Sequence, residues 1–420
     1  MVGSGISGLT AAYVLRDSHD VTVFESADRL GGHAHTHDVT ARDGRSYAVD
    51  SGFIVHNDRT YPLLRKLFAE LDVPVHATEM SMSIRCDGCG LEYAGGRGLK
   101  GITAQPRRLA DPRFVGLLLQ VRRFQQLAGR FLADSADGAG EPRDPITYGD
   151  FLRQHSFGDY FVRHYAVPVV SCVWSSGHDV ALDYPAHYLF RFLEQHGFLS
   201  LRDAPQWYTV AGGSRTYVNA VAAAVGDVRA STGVRAVTRK PDGVEVLTAD
   251  GDTHVVDKVV IATHADQALT MLTDPSDRER DVLGAFGYSR NEALLHTDPS
   301  VLPRAPRAQS SWNYHLERCD ERREQTRVGY WMNRLQGYED AADTFVVSLN
   351  DADRVDPARV VARMEYTHPV YTAEALRAQG QLHGLGTDRT VFAGAHHGWG
   401  FHEDGCRSGV EAARRLGAEW

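Results

Sequence analysis

Apolar positions near the start of the chain fall at helical spacing. The run ISGLTAAYVLR, residues 6–16, predicts a helix, and VTVFE, residues 21–25, predicts a short buried strand ending in an acid. In TYPLLRKLFAELDV the apolar residues Tyr61, Leu64, Leu67, Phe68 and Leu71 form one helical stripe, with Asn57 or Asp58 as N-cap. Residues 107–133 and 185–197 also predict helices. Alternation takes over further on. Val244 and Val246, set between turns at Asp242-Gly243 and Asp250-Gly251, predict a strand–hairpin–strand unit that leads into the buried run 259–262. Strand-like runs lie at 328–333 and 345–349, and the polar, Gly- and Pro-containing stretch 134–145 predicts a mobile surface loop. No apolar run approaches the ~20 residues that a membrane span needs.

The first helix is preceded by glycines. Gly3, Gly5 and Gly8 stand in a G-x-G-x-x-G spacing, and Glu25 follows about 20 residues later, where such a loop places the acid that accepts from ribose hydroxyls. Glycines let the backbone approach a pyrophosphate, and the helix N-terminus offers free N–H groups and the positive end of a dipole. Ser7 and Ser26 belong to the same half-site. Only Met1 and Val2 precede the loop, where a doubly wound sheet has its innermost strand. Two readings are open: a start upstream of Met1, or a strand cut to a stub. The first is favoured, because a sheet without its central strand exposes its neighbours' edges.

Composition narrows the class. The chain has 420 residues, 43% hydrophobic and 24% charged, which predicts a soluble globular protein of more than one domain. A net charge of −9 argues against a nucleic-acid partner, because phosphate binding needs a basic surface. Five scattered cysteines do not make a disulfide framework, and no signal peptide is read at the N-terminus. A cytoplasmic location is expected, with peripheral contact at the inner face of the membrane left open, and oligomeric state is not legible. No metal site is expected. His33, His35 and His37 alternate, but no further ligands converge in sequence. Cys86-Asp-Gly-Cys89 looks like half a zinc site without a second C-x-x-C, and a solvated hairpin with incidental cysteines is favoured.

The residues after Glu25 decide which dinucleotide is meant. Glu25, Arg29, Gly31 and Gly32 form an E-x-x-x-R-x-G-G pattern that resembles the flavin-containing amine oxidase superfamily, which includes monoamine oxidases, protoporphyrinogen oxidases and phytoene desaturases. Most relatives carry Arg after the glycine pair; here it is His33. Residues 48–58, with Gly52, Phe53 and Ile54, resemble the segment that runs toward the flavin ring. Residues 208–225 resemble the segment that returns the chain to the nucleotide domain, and the resemblance brings the backbone near Val234 to the adenine. Residues 390–417 resemble the terminal flavin motif, with Gly394, then Ala395 where relatives carry an acid or Thr-Glu, and His396 as a replacement. Its helix is expected to start near Glu403, Asp404 and Gly405 and to aim its N-terminus at the flavin.

The resemblance implies an α/β fold: a discontinuous Rossmann-like FAD-binding domain of residues 1–55, 205–265 and 385–420. An interleaved α+β substrate domain of residues 56–204 and 266–384 completes it. It implies noncovalent FAD and an FAD-dependent oxidoreductase. Within the superfamily, GGHAHT, WNYH (312–315), YWMNRLQ (330–336) and GFHEDGCRSG look most like a bacterial subgroup, some of whose members are linked to unsaturated fatty acyl chains. The expected reaction moves a hydride from a small apolar substrate, a fatty acyl or isoprenoid chain, to flavin, with oxygen, a quinone or another protein as electron acceptor. The alternatives are an amine oxidase releasing hydrogen peroxide and a redox-neutral isomerase or mutase. His56, Trp174, Asn333, Tyr366, His396 and Trp399 are the candidates for positions near the ring.

Overall fold

The computed structural model describes residues 1–136, 146–199 and 204–420. Most of the stretch expected to be a mobile loop, 137–145, lies outside the described residues.

A parallel sheet sits under the N-terminal glycine loop. Thr22–Phe24 pairs with Asp227–Arg229, and Val259–Ile261 pairs with Thr390–Phe392, all parallel. Between these two pairs lies Val2, bridged in parallel to both Phe24 and Ile261. Its amide donates to the Val260 carbonyl at 2.9 Å, and its carbonyl accepts from Ala262 at 2.8 Å. The central place in the sheet is therefore held by Val2, which joins both halves.

Two helices lie face to face beside this sheet. Every residue of Ile6–Leu15 is buried, and His402–Arg415 packs along it. The closeness is set by glycine. A Cβ on Gly409 would fall 2.4 Å from the Ser7 carbonyl oxygen, and one on Gly405 would fall 2.5 Å from Ile6 Cγ2.

A seven-stranded sheet forms the second layer, in the spatial order Val360–Val370, Gly287–His296, Val346–Leu349, Val328–Trp331, Trp312–Leu316, Met82–Cys86, Leu91–Gly95. Only the Trp312–Leu316 and Met82–Cys86 pair is parallel. Helices Pro112–Ala136, Tyr148–Gln154, Asp159–Phe161, Val167–Trp174 and Ala186–Gln195 supply a cluster rich in aromatics, including Phe124, Phe151, Phe161 and Phe190. The helix expected over 107–133 starts later, at Pro112, after a 3-10 turn over Pro106–Ala110. Proline at the first helical position suits the new start. The helix at Pro62–Glu70 is capped by Tyr61, not by Asn57 or Asp58. The Asn57 side chain instead accepts from the amides of Arg59 and Thr60, which closes a turn before the helix begins.

Candidate functional site

One cavity of about 870 Å³ runs from the glycine loop to the seven-stranded sheet. Its nucleotide end is made of backbone. Gly3 has φ +96°, and a Cβ there would lie 2.9 Å from the Ala262 carbonyl. A Cβ on Gly8 would lie 2.0 Å from the Gly3 carbonyl, so the helix can leave the loop only over a glycine. At Gly5 nothing lies within 4 Å, because that side opens into the cavity. The second glycine pair meets the first. The Gly31 amide donates to the Ser4 carbonyl at 3.1 Å, and a Cβ on Gly32 would lie 3.2 Å from Gly5 Cα.

Glu25 ties this end together. One carboxylate oxygen accepts from the Ser4 amide and hydroxyl at 2.9 and 2.6 Å, and the other accepts from the Ala27 amide at 2.9 Å and the Ser26 hydroxyl at 3.2 Å. The expected ribose acceptor thus also anchors the loop. Gly3, Gly5, Ser7, Glu25, Ser26, Arg29, Gly31, Gly32, His33, Gly52, Phe53, Ile54, Val234, Gly394 and Ala395 all lie on the cavity wall.

Four expected cofactor residues do not. Gly8 lies beneath the loop. The last helix begins at His402 with Phe401 as its cap, so it is Gly400, Phe401 and His402 that reach the cavity. Glu403 turns away and accepts from the amides of Leu63 and Leu64 at 3.0 and 2.9 Å, capping the start of Pro62–Glu70. Asp404 accepts from the Phe401 amide and from Arg407, and Gly405 is the contact with Ile6.

Among the ring candidates, Trp174, Tyr366, His396 and Trp399 line the cavity, and His56 and Asn333 do not. On the strand Val55–Asn57 successive side chains alternate, so Val55 faces the cavity while His56 packs against Phe68 and Tyr208. Asn333 is consumed by backbone. Its amide donates to the carbonyls of Tyr338 and Asp343, and its oxygen accepts from the Phe345 amide.

Four histidines that the sequence pattern did not single out also line the wall, His196, His264, His368 and His402, and two of them, His264 and His368, stand beside His33. The His33 ring lies 5.1 Å from Tyr366, 5.4 Å from His368 and 6.2 Å from His264. Burial, then the neighbouring imidazoles, holds His33 well below the usual histidine pKa. Burial likewise brings His368 to about 4 and His402 to about 3. These are neutral imidazoles at pH 7. His368 was legible as the same-face neighbour of Tyr366, two residues on in a strand. Tyr366 itself is fixed through its hydroxyl to Ser51 Oγ at 2.7 Å and to His35 Nδ1 at 3.1 Å.

The remaining wall is aromatic and aliphatic. Trp174 donates from Nε1 to the Trp399 carbonyl at 3.1 Å and packs on Phe192 at 4.7 Å, which stacks on Phe401 at 4.9 Å. Trp312 and Tyr330 meet edge to face at 5.7 Å on the adjoining strands.

The cavity fits FAD in two respects. Its nucleotide end is a cradle that side chains at the glycines would fill. And among the described residues three buried polar atoms of wall residues, His33 Nε2, His396 Nε2 and Trp399 Nε1, have no hydrogen-bond partner, a condition that a polar ligand relieves.

Parallel sheet, glycine loop and interleaved large sheet together define an α/β dinucleotide-binding protein. Comparison with known proteins gives the family. The model for flavin containing amine oxidoreductase matches residues 6–344, and the chain belongs to that family. It is an FAD-dependent oxidoreductase, with a Rossmann-like FAD-binding domain and a substrate domain. Solved structures agree in fold. Cyclohexylamine oxidase from Brevibacterium oxydans IH-35A aligns with TM-score 0.71 and 17% identity over 99% of this chain and 97% of that one. Putrescine oxidase bound to putrescine gives 0.69 and 16% over 99% and 97%. A CLA-producing fatty acid isomerase from P. acnes gives 0.68 and 17% over 99% and 98%. Among the described residues no helix is long and apolar enough to cross a membrane.

Proposed function

We propose that the protein dehydrogenates an apolar chain, a fatty acyl or isoprenoid substrate, with oxygen, a quinone or another protein as final electron acceptor. The observation that carries this reading is the chemistry of the wall formed by Val167–Trp174, Ala186–Gln195, Trp312–Leu316 and Val328–Trp331. Cys172, Val173, Trp174, Phe192, Trp312 and Tyr330 line it. The carboxylates on the cavity, among the described residues, are Glu25, already bonded to the glycine loop, and the exposed Asp266 and Glu365. An ammonium group entering that wall would be desolvated without a counter-charge, which is costly, whereas a methylene chain gains about 0.8 kcal/mol per buried CH₂.

Bound flavin supplies a hydride acceptor. The chain's own residues bind, orient and exclude water. Trp174, Phe192 and Phe401 form a continuous aromatic surface, Trp174 tilted on Phe192 and Phe192 stacked on Phe401, against which an alkyl chain is held. Forming a C=C bond removes a hydride from one carbon and a proton from its neighbour. His396, whose Nε2 is unpartnered on the cavity wall, is the group placed to take that proton; burial and His397 disfavour its charged form, so the proton would pass on and not stay.

The test is an anaerobic single turnover with noncovalently loaded holoenzyme, offered a long-chain acyl substrate or an amine, with products weighed by mass spectrometry. Loss of two hydrogens from the acyl chain supports the reading. A shifted double bond at unchanged mass would replace it with an isomerase, the kind of enzyme that the P. acnes relative is named as. Amine turnover with peroxide release in air, and no reaction of the acyl chain, would overturn it.

A further inference from the structure

The hairpin joining Met82–Cys86 to Leu91–Gly95 is not the solvated turn expected of Cys86-Asp-Gly-Cys89. Cys86 is fully buried and Cys89 half-buried. Two distant segments close over them. The chain beyond Trp312–Leu316 folds back so tightly that a Cβ on Gly88 would lie 2.9 Å from Arg318 Cα, and this delivers Cys319. The π-helical turn Val162–Ala166 delivers His164, which is completely buried. The three sulfur atoms and one ring nitrogen lie within 4.8 Å of one another. We propose that Cys86, Cys89, His164 and Cys319 form a structural zinc site of the Cys₃His type.

The distances fit ligands shared by one ion and exclude a disulfide. Cys86 Sγ lies 3.6 Å from Cys319 Sγ, and Cys89 Sγ lies 3.7 Å from His164 Nε2. A tetrahedral zinc with Zn–S bonds of about 2.3 Å sets its sulfur ligands about 3.8 Å apart. A disulfide needs about 2.05 Å, and all five cysteines are free. The histidine is also prepared. Its Nδ1 lies 2.9 Å from the Tyr160 carbonyl, which can only accept, so Nδ1 carries the proton and Nε2 keeps its lone pair for the metal. The ligands are held from behind: Tyr93 donates to the His164 carbonyl at 2.7 Å, and Arg108 donates to the Cys89 carbonyl. Four protein ligands leave no open position, which makes the site structural. It would staple the edge of the seven-stranded sheet to the turn that leads into Val167–Trp174, the helix that carries Trp174 to the cavity. The site does not depend on the substrate proposed above.

The test is elemental analysis of the full-length, flavin-loaded protein, expressed in zinc-supplemented medium and dialysed against a chelator. One zinc per chain is expected, and cobalt(II) in its place should give intense tetrahedral d–d bands to the red of the flavin spectrum. Cys89→Ser with Cys319→Ser should remove the metal, His164→Cys should retain it, and Cys406→Ala, outside the cluster, should not change it. Should the double variant fail to fold, the wild-type stoichiometry and the cobalt spectrum still decide. Absence of zinc, iron in its stead, full zinc in the double variant, or a native Cys86–Cys319 disulfide would each overturn the proposal.

Discussion

The two ends of the cavity are built differently. The nucleotide end is backbone against backbone: Gly3 against Ala262, Gly8 against Gly3, Gly32 against Gly5. It depends on what is absent, a Cβ at each crossing. The aromatic end depends on side chains contributed by segments more than a hundred residues apart, such as Trp174 and Trp399. An end made of missing atoms tolerates almost no substitution, whereas one made of many side chains degrades by degrees.

The sharpest break in this contrast is Gly8→Val. Its side chain would overlap the Gly3 carbonyl, and we expect flavin affinity to fall by at least about 1,000-fold, or about 4 kcal/mol, so that the protein purifies colourless. A fully yellow variant would contradict the cradle. Trp174→Ala should keep flavin but lower kcat/KM for a long-chain substrate about 30-fold, or about 2 kcal/mol. An equal effect on a short substrate would remove the aromatic wall from substrate recognition.

Acid stability extends the comparison to the buried imidazoles, His368 and His402 on the cavity wall and His56 and His296 away from it. His56, His296 and His368 are held at about 4 and His402 at about 3, chiefly by burial. Below the unfolded value near 6.5 the unfolded chain takes up protons that the folded chain refuses, so stability present above that pH is lost as pH falls toward 4. Tm should drop by about 10 °C or more between pH 7 and pH 5; a flat profile would mean these rings reach solvent. The smallest effect is expected from Glu403→Gln. It should alter stability by only about 1 kcal/mol through the cap on Pro62–Glu70 and leave flavin affinity within about twofold. A large loss of flavin would return Glu403 to the binding set.

Legibility in the sequence follows the same division. The glycine loop, Glu25, Arg29, the second glycine pair and residues 52–54 are local patterns, and, Gly8 beneath the loop apart, they reach the cavity wall. The errors are of parity and phase. His56 is one residue off on an alternating strand, and the last helix starts at His402, which moves its contact from residues 403–405 to residues 400–402. What no local pattern could carry is convergence. His264 and His368 meet His33 through the sheet and the strand Val360–Val370, and Cys319 and His164 reach the Cys86–Cys89 hairpin across more than seventy residues. The absent second C-x-x-C was a sound reason to discount zinc only if the ligands had to be sequence neighbours.

The most direct measurement mixes holoenzyme anaerobically with acyl chains of increasing length, and separately with putrescine and cyclohexylamine, while following the oxidised flavin band. Dehydrogenation of an apolar chain predicts bleaching by the acyl chains, faster as length increases, and none by the amines. Bleaching by the amines alone would contradict it.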